Sequence, residues 1–125
     1  MSSSNIDYSF SYLVSLQEID LTGFNFSGVT APNYVFRYNY SLEKAIMPDS
    51  LHYIAQYFFG DCRNLKTIVL PSTTLVTLTN TNAFSGANRA KTIYVPDNLV
   101  ESYRTANNWK SLTNVTFAGI STYED

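Results

Sequence analysis

Apolar and polar positions recur along this chain at fixed offsets. Phe10, Phe36, Phe59 and Phe84 each stand six residues before Leu16, Leu42, Leu65 and Ala90. Three residues further come Ile19, Ala45, Ile68 and Ile93, and two more bring Leu21, Met47, Leu70 and Val95. The next position holds Thr22, then Pro48, Pro71 and Pro96. The pattern F-x5-L-x2-I-x-L-P thus repeats four times, at spacings of 26, 23 and 25 residues. Its I-x-L piece alternates apolar and polar residues, which predicts a short strand with one buried face. Proline just after it lacks an N–H and fixes φ, which ends the strand and turns the chain. A second apolar-spaced segment follows, with Leu51, Ile54 and Phe58-Phe59 in one copy and Leu75, Leu78 and Phe84 in the next. It reads as the return side of the unit. A unit this small cannot bury its apolar face alone, so copies must stack into one continuous core.

The expected fold is a repeat solenoid, mainly of short β-strands, forming a single domain over residues 1–125. Its coils span about 10–35, 36–58, 59–83 and 84–96, and a helix-strand cap covers 97–120. A period of 20–29 residues is that of leucine-rich repeats. The cap rests on "PDNLVESYRTANNW", where Asp97 or Asn98 can cap a helix and Leu99, Val100 and Tyr103 lie at helical spacing. Trp109 and Leu112 are expected to fold back on the last coil, and "NVTFAGI" to form a final strand. The N-terminal side has no comparable lid, so Tyr8 and its neighbours, or another chain, must cover that end. Phe36, Phe59, Phe84, Leu65, Ile68, Leu70 and Trp109 are the expected core.

Stacking places equivalent outward residues side by side. One column is Glu18, Lys44, Thr67 and Thr92; the other is Asp20, Ile46, Val69 and Tyr94. Ile46, Val69 and Tyr94 would make an apolar strip on the sheet. Such a strip reads as an interface, as the ordinary β-branched composition of parallel strands, or as a surface that a loop covers. These columns are the candidate binding residues. A second candidate is the tyrosine run Tyr34, Tyr38, Tyr40, Tyr53 and Tyr57.

Composition narrows the chemistry. Charged residues make up only 14% and aromatics 15%, with ten Tyr and eight Phe, and the net charge is −2. Without a basic patch, nucleic acid is not an expected partner. No run approaches the roughly 20 apolar residues that span a bilayer, and the first residues lack the basic start and apolar run of a signal peptide. Cys62 and His52 are the single cysteine and histidine, ten positions apart on different parts of one unit. One period on, Ala87 stands in the slot of Cys62, which no nucleophile could become. No metal-ligand cluster, calcium loop, phosphate loop or nucleophile elbow is present. The expectation is a protein with no catalytic residues, metal or cofactor.

The stretch "MPDSLHYIAQYFFGDCRNLKTIVLP", followed by "LPSTTLVTLTNTNAFSGANRAKTIYVP", resembles the BspA-like leucine-rich repeats. Their pattern runs roughly LP-x-S-V-x-x-I-x-x-x-A-F-x-G-C-x-x-L-x-x-I-x-L-P. Pro48, Ser50, Leu51, Ile54, Phe59, Cys62, Leu65, Ile68, Leu70 and Pro71 match, then Pro71, Ala83, Phe84, Gly86, Ile93 and Pro96. The resemblance runs from about Phe10 to Ile120 and is weaker in the first copy. It implies that Cys62 is a buried packing residue. It also implies adhesion or protein–protein contact. With the short chain, the absent signal peptide and the missing N-terminal lid, the expectation is a phage virion component (decoration, fibre or tail-associated), or a module of a longer bacterial surface adhesin with a cell-surface ligand. A reading of a different class is an intracellular scaffold or inhibitor. Docking or self-assembly through the N-terminal end fits the first of these, in a virion or extracellular setting.

Overall fold

The computed structural model describes residues 10–13 and 15–124; Tyr8, expected at the N-terminal end, lies outside them. Five short strands form one parallel sheet in the order β1 (Glu18–Asp20), β2 (Lys44–Ile46), β4 (Thr67–Val69), β6 (Lys91–Val95) and β7 (Val115–Gly119). Two shorter strands, β3 (Tyr53–Ile54) and β5 (Thr77–Leu78), pair in parallel as a second sheet on the return side. The register is the one the repeat predicts. Ile19, Ala45, Ile68 and Ile93 are consecutive partners, and Phe117 continues that column.

Inside, side chains stack copy upon copy. Phe10, Phe36, Phe59 and Phe84 form a ladder of near-parallel rings with centroids 5.3, 5.3 and 5.6 Å apart. Trp109 closes the ladder 6.4 Å from Phe84, and its indole N–H donates to the Val76 carbonyl at 2.7 Å. Leu65, Ile68, Leu70 and Cys62 are all buried. Offset stacking of this kind adds about 0.5–1.5 kcal/mol per pair beyond area burial. At the phenylalanine turns the backbone also bonds from copy to copy, with Phe36 N–H on Phe58 O and Phe59 N–H on Ala83 O, both 2.8 Å.

The slot of Cys62, three residues after each phenylalanine, ties neighbouring copies together. The Cys62 thiol donates to Phe36 O at 3.1 Å. One copy earlier, buried Asn39 donates from Nδ2 to Phe10 O and Phe36 O, both 2.6 Å, and its Oδ1 accepts from Leu13 N–H.

The C-terminal region departs from expectation in detail. A 3-10 turn at Asp97–Leu99 precedes a six-residue helix, α1 (Val100–Thr105), whose N-cap carries no side-chain hydrogen bond. Asp97 is drawn elsewhere: its Oδ1 accepts from the Ser121 N–H at 3.1 Å. Buried Tyr103 stacks on Phe117 at 5.4 Å, and its hydroxyl accepts from Val76 N–H. The helix stops at Thr105 because Ala106 is extended. Asn108, with φ of +66°, donates from Nδ2 to Leu78 O at 2.7 Å. On the return side Leu75 is exposed and Val76 is buried, because Tyr103 and Trp109 both fix the backbone of Val76.

Candidate functional site: an aromatic face and a covered sheet

The two outward columns form as expected, with Glu18, Lys44, Thr67 and Thr92 as consecutive partners in one, and Asp20, Ile46, Val69 and Tyr94 in the other. Lys44, largely shielded, reaches exposed Glu18 at 3.5 Å, and a pair open to solvent on one side contributes about 0–1 kcal/mol. The apolar strip, however, is closed at its centre. Asp20 is exposed and Ile46 and Tyr94 are half-buried, but Val69 is only 6% exposed. The cause is Tyr123. Its ring lies 5.0 Å from the Tyr94 ring and 5.0 Å from Lys44 Nζ. Lys44 is on β2 and Tyr94 on β6, so the Lys44 side chain and the Tyr123 ring together span β4, the strand that carries Thr67 and Val69. The outward prospect expected for Val69 is therefore corrected: the C-terminal segment covers it. That segment is held by the Asp97–Ser121 bond and by Gly119, where any side chain would run into Asp97.

Four of the run, Tyr34, Tyr38, Tyr40 and Tyr57, gather half-buried at the phenylalanine turns. Tyr34 and Tyr57 stack at 5.6 Å with rings 6° from parallel, and Tyr12 stacks on Tyr38 at 4.8 Å. Arg37 stands among them, its guanidinium carbon 4.4 Å from the Tyr57 ring centre, 4.7 Å from Tyr38 and 5.5 Å from Tyr34. Arg37 Nε also meets Asp61 at 3.5 Å. Arg63 lies 4.4 Å from the Tyr40 ring and extends the face. The arrangement depends on unusual backbone. Two residues after the phenylalanine, Tyr12, Tyr38 and Asp61 have φ of +62°, +70° and +59°, at the turn where the fourth copy has Gly86 at +80°. Two residues before it, Tyr34 and Tyr57 have φ of +59° and +53°. Left-handed backbone is costly for residues with a Cβ, by roughly 1–2 kcal/mol each. Next to this face the first copy exposes Tyr12 (62%), Leu13 (40%) and Phe24 (50%).

Sequence reasoning did not name Arg37, Tyr12 or Tyr123. The alternation Tyr34, Phe36, Tyr38, Tyr40 around Arg37 was the available signal for the first two. Tyr123 lies beyond the repeat, so no periodic pattern points to it. Tyr53, in the same run, is half-buried on β3, on the return side.

Cys62 is not an activated thiol. Burial pushes the Cys62 thiol up to about 12, and its hydrogen bond goes to Phe36 O rather than to His52. Among the described residues no group of His, Cys, Asp or Glu could hold a metal ion, and no helix is long and apolar enough to cross a membrane.

No curated protein and no solved structure matches the chain. A family model does: the BspA type leucine-rich repeat region, in six copies, over residues 29–124. The match begins after β1 and takes in every later strand, the phenylalanine ladder from Phe36 and the C-terminal segment. With this geometry and this match, the chain belongs to the BspA-type leucine-rich-repeat family.

Proposed function

We propose that the chain is a non-enzymatic protein-binding module, a short solenoid closed at its C-terminal end by α1 and Trp109, that docks a protein partner on the aromatic face around Arg37. The observation that carries this reading is the set of left-handed tyrosines. Tyr12, Tyr34, Tyr38 and Tyr57 hold costly backbone conformations, and none of them belongs to the phenylalanine core. Tyrosine and arginine are also the residues most enriched in the energetic centres of protein interfaces. Exposed Leu13 and Phe24 extend the surface toward the N-terminal end. The sheet columns, Asp20, Ile46, Val69 and Tyr94 with Lys44, Thr67 and Thr92, serve as a second contact only where Tyr123 leaves them open.

The settings in keeping with such a module are a virion, as a decoration, fibre or tail-associated protein, or a cell surface, as part of an adhesin. Immunogold labelling of virus particles and of cell envelopes from the source organism separates the two. Binding to the particle or envelope fraction should fall at least tenfold for Tyr12→Ser combined with Tyr38→Ser, with the fold intact by circular dichroism. Unchanged binding rejects the aromatic face. Sedimentation of the purified chain tests self-assembly in the same way.

A further inference from the structure

A pocket of about 300 Å³ lies between the fourth phenylalanine turn and the loop that leads into β7. It is on the far side of the array from Tyr12 and independent of the Arg37 face. Its wall includes Asn82, Ser85, Asn88, Lys91, Thr113 and Asn114. Two of these residues are unusual. Lys91 is 4% exposed, and its ammonium donates to Ala87 O and Arg89 O, both 2.7 Å. Among the described residues no carboxylate pairs with it. Buried charges in proteins are normally paired. Two carbonyls take two of the three ammonium donors and the Phe84 ring centre lies 5.7 Å from Nζ, so one N–H is left and the charge has no anionic partner among the described residues. Asn82 ends in a buried Oδ1 that has no hydrogen-bond donor. Such atoms are rare and call for an explanation.

We propose that this pocket binds a small acidic sugar, with the carboxylate on Lys91 Nζ, and with Asn82 turning its covered, unpartnered Oδ1 outward to accept from a sugar hydroxyl. The remaining wall selects the class. Asn88, Asn114, Ser85 and Thr113 are neutral amides and hydroxyls, which exchange hydrogen bonds with hydroxyls of a polyol ring. One ammonium balances one carboxylate and leaves a phosphate half-matched. A divalent cation has no carboxylate here to bind. The volume is at the lower end of the roughly 300–1,000 Å³ found for ligand sites, which suits a single sugar ring.

The test is titration of the full chain, by calorimetry and saturation-transfer NMR, with D-glucuronate, methyl β-D-glucuronide, D-glucose and acetate. Glucuronate binds, and glucose and acetate bind at least tenfold more weakly. Lys91→Met, which keeps the long apolar stem, loses at least tenfold in glucuronate affinity while still folding cooperatively. Asn82→Leu loses affinity for glucuronate but not for acetate. Binding of the glycoside as well assigns a glycan terminus as the source, and binding of the free acid alone assigns a soluble sugar acid. No binding of glucuronate to the wild-type chain, binding equal to that of glucose or acetate, or unaltered binding by a folded Lys91→Met protein overturns the proposal.

Discussion

Ala90 and Lys91 have exchanged the burial that Leu65 and Lys66 keep one copy earlier. Leu65 is fully buried and Lys66 exposed, whereas Ala90 is exposed and Lys91 lies on the inner side of β6 with Ile93 and Val95. The alkyl stem of Lys91 supplies apolar bulk on the side where the leucine column ends, and its head finds two carbonyls. Lys91→Ala should therefore cost about 2–4 kcal/mol in urea unfolding, as for other large buried side chains. Lys91→Met should stay within about 1 kcal/mol, and Ala90→Leu should gain little because its side chain faces water.

The same residue gives a pH dependence. Burial holds the Lys91 pKa below its ordinary 10.5. Between that lowered value and 10.5 the unfolded chain binds more protons than the folded one, so this residue's contribution to stability rises with pH across that window. Burial raises the Tyr103 pKa above 10.0, which acts in the opposite sense at higher pH. The difference in stability between wild type and Lys91→Met isolates the lysine. Wild-type stability minus that of the variant should rise as pH increases toward 10.5, and a fall would contradict the assignment.

The slot after each phenylalanine should be most sensitive where its residue is most polar. Asn39→Ala strands the Leu13 N–H and the Phe10 and Phe36 carbonyls, at about 2–4 kcal/mol. Cys62→Ala removes one thiol bond in a slot that already accepts alanine at 87, at about 1 kcal/mol. With its pKa at about 12, Cys62 should resist iodoacetamide at pH 8 in the folded chain and react at once in denaturant.

The C-terminal cover should detach when its anchor is disturbed. Gly119→Ala forces Asp97 aside and breaks its bond to Ser121. Amide hydrogen exchange should then speed up at 120–124, and Val69→Cys should become reactive to thiol reagents in that background only. Acid should loosen the same contact. The Asp97 pKa is lowered, chiefly by the Ser121 hydrogen bond, so its stabilising contribution is present above 3.8 and is lost as pH falls through the lowered value.

Arg37→Ala removes a cation shared by three rings. A loss of about 1–2 kcal/mol is expected, together with faster exchange at the Tyr34 and Tyr38 amides. Arg37→Lys should recover only part of it, because a point charge cannot lie flat against several rings.

The sheet was legible in the sequence to the level of individual partners. Strand side chains alternate with a period of two, and a shared offset from each phenylalanine leaves one register for Ile19, Ala45, Ile68 and Ile93. What the pattern did not hold are contacts made by residues used once. Tyr123 has no counterpart in the copies, so its position over Val69 was invisible. Asp97 reads as a helix cap by residue type, but the better donor for it, the Ser121 N–H, is 24 residues away. The Arg37 face was half legible: the tyrosines stood out, but their placement depends on φ values that few non-glycine residues adopt.

Those φ values put strain and surface chemistry on the same residues. Gly86 occupies the turn position that Tyr12, Tyr38 and Asp61 occupy elsewhere, and glycine takes that conformation without strain. A chain carrying glycine at all of these turns would shed that strain, but also the Tyr12–Tyr38 stack and the Arg37 contacts with Tyr38 and Asp61. It would also have a blank surface there. Backbone strain and the aromatic face are thus set at the same few turns, and glycine would relieve the first while removing the second.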